Sequence, residues 1–436
     1  MSVNLRKPDQ APALPTQCGN GNRQTINSER SPERERVVVR PLAHARRCEN
    51  SSNDASRNWS HGLAHFPGIL VVVFASLLTG FAADPIKVGE YASLTGKEAS
   101  LGQASHNGTL LAVEQINAAG GVLGRKLELI SEDTQSKAGE SSTAVRKLIS
   151  RDKVVAVLGE VVSSRSLEAA PVCQAAKVPM ISPASTAPGV TAVGDYIFRA
   201  CFIDPFQGPV MAKFARDTLK VKRIGLLVST SSAYSIGLAK YFKEALTAHG
   251  GVIAAEKAYS EGDKDFKAQL TAIRAANVEA IFNPGYYAEG ALIVRQARDL
   301  GITVPIFGGD SWEAEELIAL GGKAVEGAYL SSHYSFEDPS AQVQNFVASY
   351  KQRFGTGIAP DSNASLGYDS VLLLVDAIRR AGSVDRAKIR DALAATKDFP
   401  AVTGRITINE KRDAAKTAVI ITVKNGQFKF VERISP

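Results

Sequence analysis

Cysteine, histidine and tryptophan are scarce in this chain, at four, six and two of 436 residues. Cys18 and Cys48 lie early, which leaves Cys173 and Cys201 beyond residue 83. No CxxC and no Cys/His zinc spacing occurs, so neither a zinc module nor a disulfide framework is indicated. The late pair is expected to be buried and reduced, because free cysteine packs as a small hydrophobe, with a bridge between the two as the alternative. Only His106, His249 and His333 follow residue 83, and none stands in a triad or metal spacing. No catalytic residue, metal or cofactor is therefore expected. Charge of one sign is also missing where it would matter. Residues 1–83 hold ten Lys/Arg and six Asp/Glu, so they supply +4 of the net +7. The remaining +3 is too little for a nucleic-acid face, and residues 1–60 do not pattern as a helix-turn-helix.

Long hydrophobic runs are absent too, with one partial exception. FPGILVVVFASLLTGFAAD, from Phe66 to Asp84, holds an apolar run of about sixteen residues, short of the ~20 that span a membrane. Gly80-Phe81-Ala82 fits the small-x-small cleavage rule. Residues 1–83 therefore read as a leader whose segment 66–82 is a signal peptide, cleaved near Ala82/Ala83. The stretch before it is several times too long for an n-region, so a translation start downstream of Met1 is expected. No Cys follows the run to carry a lipid, so the mature chain is expected soluble outside the cytoplasm.

What the sequence does have is a steady alternation. IKVGEYASL (86–94) reads as a strand, HNGTLLAVEQINAAGG as a helix stopped by Gly120-Gly121, and KLELISED (126–133) as a strand again. VVAVLG (154–159) is a continuous β-branched run, as in a strand buried on both faces. SLEAAPVCQAAKV is helical, with a kink or a local break expected near Pro171. VPMIS and YIFRACF (196–202) follow as strands. After Asp204-Pro205 the beat restarts with GPVMAKFARDTL, RIGLLVST (223–230), GLAKYFKEALTAHGG, VIAAEKAYS, EAIFNPG and VPIFGGD. Strands alternating with helices of ten to fifteen residues mean parallel sheets wrapped by helices. Two such sets predict an α/β protein with two Rossmann-like lobes joined by hinge strands. The expected division is 84–203 plus 335–400 for an N-terminal lobe and 204–334 plus about 401–436 for a C-terminal lobe. The tail TAVIITVKNGQFKFVERI carries an Asn425-Gly426 hairpin turn.

In open parallel sheets ligands sit beyond the carboxyl ends of the strands. The residues placed there are Ser163 after VVAVLG, Ala184, Ser185 and Thr186 after VPMIS, Tyr234 after RIGLLVST, Tyr286 after EAIFNPG, and Asp310 after VPIFGG. The first set offers hydroxyls and turn backbone, and the second offers phenols and a carboxylate. A small zwitterion suits both, with its carboxylate on Ser163 and Thr186 and its ammonium between Asp310 and the Ala184 carbonyl. Leu101 and the tyrosine rings would cover an apolar side chain. Helix capping by Ser163, Ser164 or Asp310 is the plainer alternative at each of those positions.

INAAGGVLGRKLELISEDTQS (116–136), the Ser163-Ser164 turn, SPASTAP, PGYYAEG (284–290), RQARDLG (295–301) and Gly308-Gly309-Asp310 carry a family resemblance. From about Ile86 onward the chain resembles the type I periplasmic solute-binding proteins of branched-chain amino acid ABC transporters. The resemblance implies that Ser163 and Thr186 receive a ligand α-carboxylate. It implies that the Ala184 carbonyl and Asp310 bind the ammonium, and that Tyr234 and Tyr286 close over the ligand. It further implies hinge closure, delivery to permease subunits, and a monomer with no enzymatic role. Some relatives have Glu where Asp310 stands and Trp where Leu101 stands. Those departures leave room for an amide or an aromatic acid as the alternative ligand. A ligand-sensing receptor of the same fold is the alternative role.

Overall fold

The computed structural model describes residues 84–357 and 359–435. The proposed leader and its cleavage site lie outside the described residues. Five strands form the first sheet: β1 (Ile86–Ala92), β2 (Leu127–Asp133), β3 (Ala156–Leu158), β4 (Met180–Ser182) and β5 (Ile197–Arg199). They run parallel in the order β2-β1-β3-β4-β5. The helices between them are α1 (Ala99–Ala118), α2 (Glu140–Ser150), α3 (Ser163–Ala175) and the single turn α4 (Gly189–Ala192).

The second sheet repeats this plan. It comprises β6 (Arg223–Ser229), β7 (Val252–Tyr259), β8 (Ala280–Asn283), β9 (Ile306–Gly308) and β10 (Tyr329–Ser332). Their helices are α5 (Asp204–Asp217), α6 (Ala233–Ala248), α7 (Lys267–Ala275), α8 (Tyr287–Asp299) and α9 (Glu315–Gly321). The parallel strands fall in the order β7-β6-β8-β9-β10, the same permutation as in the first sheet.

The chain then supplies α10 (Ala341–Phe354), α11 (Ser362–Ala381) and α12 (Arg386–Ala394). α10 and α11 both pack on α1, at the first sheet. A small sheet follows, built of β11 (Phe399–Ala401), β12 (Gly404–Ile408) and β13 (Ala414–Ala415). The chain ends in the predicted hairpin, β14 (Ala418–Lys424) and β15 (Gln427–Ile434), added antiparallel beside β10. Its turn is Asn425-Gly426, both residues at positive φ (54° and 66°), as a primed hairpin turn requires.

Buried aromatics anchor the second sheet. Phe282 lies between Phe242 and Phe307, with ring centroids at 4.2 and 4.9 Å, and all three are fully buried. Each such side chain stabilises the fold by about 1.5–3 kcal/mol. Two sequence readings are corrected here. α3 continues through Pro171 rather than breaking there, and α1 starts at Ala99, about two turns before the predicted HNGTLL start. That early part packs through small residues. A Cβ on Gly102 would lie 2.1 Å from the Ser93 carbonyl oxygen. Cys173 and Cys201 are buried free thiols, as expected.

Candidate functional site

In each sheet the strand order reverses beside the first strand, between β1 and β3 and between β6 and β8. Loops leaving such a pair diverge and open a crevice at the carboxyl edge. Ser163 follows β3, and the 93–98 loop follows β1. Tyr234 follows β6, and Tyr286 follows β8. Thr186 and Asp310 follow the next strand out in each sheet, β4 and β9. The repeated topology thus delivers the predicted residues in matching pairs.

The two carboxyl edges are in contact. Tyr287 donates from its hydroxyl to the Lys97 carbonyl at 2.9 Å, and Lys97 pairs with Glu261 at 2.6 Å. Ser100 bonds Glu316, and the Ala233 N–H reaches the Ser164 hydroxyl at 3.4 Å. Ser164 therefore faces the opposite edge rather than capping α3.

On the first edge, the Ser163 hydroxyl accepts from the Ala187 N–H at 3.2 Å and ties the start of α3 to the 183–188 turn. No side chain caps α3. The Ser185 hydroxyl points into the turn, donating to the Glu160 carbonyl at 2.8 Å and lying 2.7 Å from the Ser166 hydroxyl. Thr186 differs. It is 1% exposed, and its hydroxyl has no partner. Among the described residues nothing accepts from its N–H, and nothing donates to the buried Ala184 carbonyl.

On the second edge Asp310 is the hub. Its Oδ1 accepts from the Tyr234 hydroxyl and from Gln207 Nε2, both at 2.8 Å. Its Oδ2 lies 3.0 Å from His333 Nε2. Asp310 opens a short 3-10 turn, but its carboxylate bonds these three residues rather than the turn's own N–H groups. Gly309 makes this convergence possible. A Cβ there would sit 2.1 Å from the Tyr234 hydroxyl and 3.1 Å from Gln207 Nε2. The Tyr234 and Tyr286 rings lie 5.5 Å apart. Leu101 is buried in α1.

Three further residues complete the cluster without having been predicted. Asp204, the first residue of α5, is fully buried, and both its carboxylate oxygens lack partners. Its N–H donates to the Thr186 carbonyl at 3.0 Å, so it stands beside the first edge. Burial pushes its carboxyl up to about 7, and the Asp310 charge adds to this. The Thr186 hydroxyl opposes the shift from nearby without forming an aligned hydrogen bond. Gln207 keeps an unpartnered Oε1. His333 stacks on Phe202 at 3.7 Å, and burial lowers its imidazole to about 4 against the pull of Asp310, which leaves it neutral with a free Nδ1. In the sequence the Asp204-Pro205 pair marks only the boundary before the second set, with the helix read from Gly208, whereas α5 starts at Asp204 itself. Among the described residues no group of three or more His, Cys, Asp or Glu could hold a metal.

Two parallel sheets of one topology, meeting at carboxyl edges lined with unpartnered polar groups, define a two-lobed solute-binding protein. Sequence comparison agrees: the periplasmic binding protein family model matches residues 85–427, and the chain belongs to that family. A leucine-, isoleucine-, valine-, threonine- and alanine-binding protein of Pseudomonas aeruginosa is 32% identical over 352 residues, covering 80% of this chain and 91% of its own. A crystal structure of a leucine-binding protein from Thermotoga maritima is 40% identical, with a TM-score of 0.76 and coverage of 80% and 99%. A branched-chain amino acid transporter substrate-binding protein from Streptococcus pneumoniae, solved with isoleucine, is 35% identical, with a TM-score of 0.77 and coverage of 81% and 100%.

Proposed function

We propose that this chain binds an amino acid, branched-chain or of similar size, between its two lobes in the periplasm and delivers it to the permease of an ABC transporter. The observation that carries this is the set of unpartnered donors and acceptors in the buried cluster. The donors are the Thr186 N–H and hydroxyl. The acceptors are the Ala184 carbonyl, both Asp204 oxygens and Gln207 Oε1, with the Asp310 carboxylate bonded to Gln207 Nε2. Buried polar groups are destabilising unless paired. A zwitterion supplies both complements: its carboxylate takes the donors and its ammonium takes the acceptors. The two edges contribute different members of the set, so only the closed form makes all the bonds, and ligand favours closure. The names of the relatives, which are those of amino-acid-binding proteins, support the same ligand class.

The test is thermal unfolding of residues 84–436, stripped of ligand by unfolding and refolding. The panel is the twenty amino acids, small amides, aromatic acids and sugars. A ligand at a hundred times its Kd adds about 2.7 kcal/mol of apparent stability. A shift confined to one group of amino acids is expected. A shift with aromatic acids alone would refute the ammonium half of the reading.

A further inference from the structure

Arg199 is the last residue of β5, with none of its surface exposed. Its guanidinium grips the turn that carries Thr186. One terminal nitrogen donates to the Ser185 carbonyl, and the other donates to the Ala187 carbonyl at 2.9 Å and the Thr191 hydroxyl at 3.0 Å. Nε lies 2.8 Å from Asp413 Oδ1, an ion pair rather than an aligned hydrogen bond. Asp413 also accepts from the Thr191 hydroxyl at 2.8 Å.

We propose that Arg199 is a positioning residue for the ligand carboxylate, and that its pairing with Asp413 ties the 183–188 turn to the chain's last passage toward the second sheet. The proposal rests on the amino-acid reading above. The two carbonyls that Arg199 holds flank Thr186. The Ser185 carbonyl and the Thr186 N–H are opposite ends of one peptide group. A charged donor on that oxygen draws electrons toward it and strengthens the N–H as a donor. The third carbonyl of the turn, that of Thr186, is held by the Asp204 N–H. Both peptides around the free Thr186 N–H are thereby fixed, with a buried positive charge behind them. Asp413 lies between β12 and β14. Through it the turn is fastened to a segment that moves if the lobes move. Buried ion pairs are often no more stabilising than apolar substitutes. A role in aiming the turn accounts for placing this pair here.

The experiment is titration calorimetry on the stripped wild-type chain and on Arg199→Met, Arg199→Lys and Asp413→Asn. Two probes are used: the amino acid with the largest wild-type thermal shift, and its carboxamide, which keeps the ammonium and loses the anion. Wild type is expected to prefer the acid. Arg199→Met should weaken the acid by about 10- to 100-fold, the range for one charge-assisted bond, and leave the amide nearly unchanged. Arg199→Lys should behave alike, since a single ammonium cannot reproduce the fork across two carbonyls. Equal weakening of acid and amide, or none, in variants that fold would overturn the proposal and leave the amino-acid reading standing. A wild type that binds no amino acid overturns that reading, and the proposal with it. If Arg199→Met fails to fold, the acid-to-amide ratio in Arg199→Lys and Asp413→Asn decides by the same criterion.

Discussion

Asp310→Asn separates the binding role of the Asp310 hub from its structural one. The substitution keeps the shape and removes the charge. Oδ1 can still accept from Tyr234 and Gln207, each now at 2.8 Å. The new amide NH2 replaces Oδ2, 3.0 Å from His333 Nε2. Two donors would then face each other, but His333 has a remedy. Burial holds it neutral, and its Nδ1 has no partner. Moving the ring proton from Nε2 to Nδ1 turns Nε2 into an acceptor for the Asn N–H. All three contacts survive in the ligand-free protein, so its Tm should shift by no more than about 5 °C. The ligand has no such remedy. An ammonium that loses a charged partner in a buried site forfeits about 2–3 kcal/mol, or about 30- to 150-fold in Kd. Asp204 will partly offset this. Its raised pKa owes something to the Asp310 charge, so in the variant Asp204 ionises at lower pH. The loss of affinity should therefore be smaller at about pH 6.5, where the variant gains Asp204 charge that wild type lacks, than at pH 8, where Asp204 is ionised in both. Calorimetry at both pH values, with thermal unfolding of the ligand-free protein, measures every part of this. An affinity within about threefold of wild type at both pH values would refute the ammonium role of Asp310. A collapse of the ligand-free Tm would refute the tautomer argument.

Other consequences follow from neighbouring groups. The Glu160 carboxyl accepts from Ser93 through Oε1, leaves Oε2 unpartnered, and is pushed by burial to about 8 from an ordinary 4.5. Folded Glu160 thus stays protonated where the unfolded chain has ionised it, and stability falls as pH rises from 4.5 to about 8. Glu160→Gln removes that slope, so the Tm of the variant relative to wild type should climb across this window and then level. Parallel pH profiles would contradict it. Burial raises the Cys201 thiol to about 12 and Cys173 higher still. Both should resist an aromatic disulfide reagent in the native chain and react once it unfolds; fast native labelling would show that they are accessible. Tyr287→Phe deletes the bond to the Lys97 carbonyl across the two edges. At about 1 kcal/mol this should weaken ligand binding by about fivefold and barely move the ligand-free Tm. An unchanged Kd would mean that the contact does not contribute to closure.

The part of this architecture that local pattern specifies was legible. Buried parallel strands are short apolar runs, and VVAVLG looked like one because β3 has neighbours on both sides. Strand ends name the loops that can hold a ligand, so the loops bearing Ser163, Thr186, Tyr234, Tyr286 and Asp310 could be picked out before any geometry was known. What stayed hidden depends on chain segments far apart in sequence. Gln207 reaches Asp310 across 103 positions. Arg199 looked like one polar letter inside YIFRACF, and only the pairing of β5 beside β4 sets it behind the 183–188 turn. Asp204 stands in the sequence only as half of an Asp-Pro boundary, and its burial beside Thr186 comes from the assembled fold. The small sheet β11–β13 and helix α12 were missed for another reason. They are short, and α12 buries only Ile389 and Leu393, too few apolar positions to establish a period. Hydrophobic pattern reports which face of a segment is buried, not which distant charge it is buried against. For a binding site built between two lobes, that second fact decides the electrostatics, so the frame of the site can be read from sequence while the residues that tune it emerge only from the assembled fold.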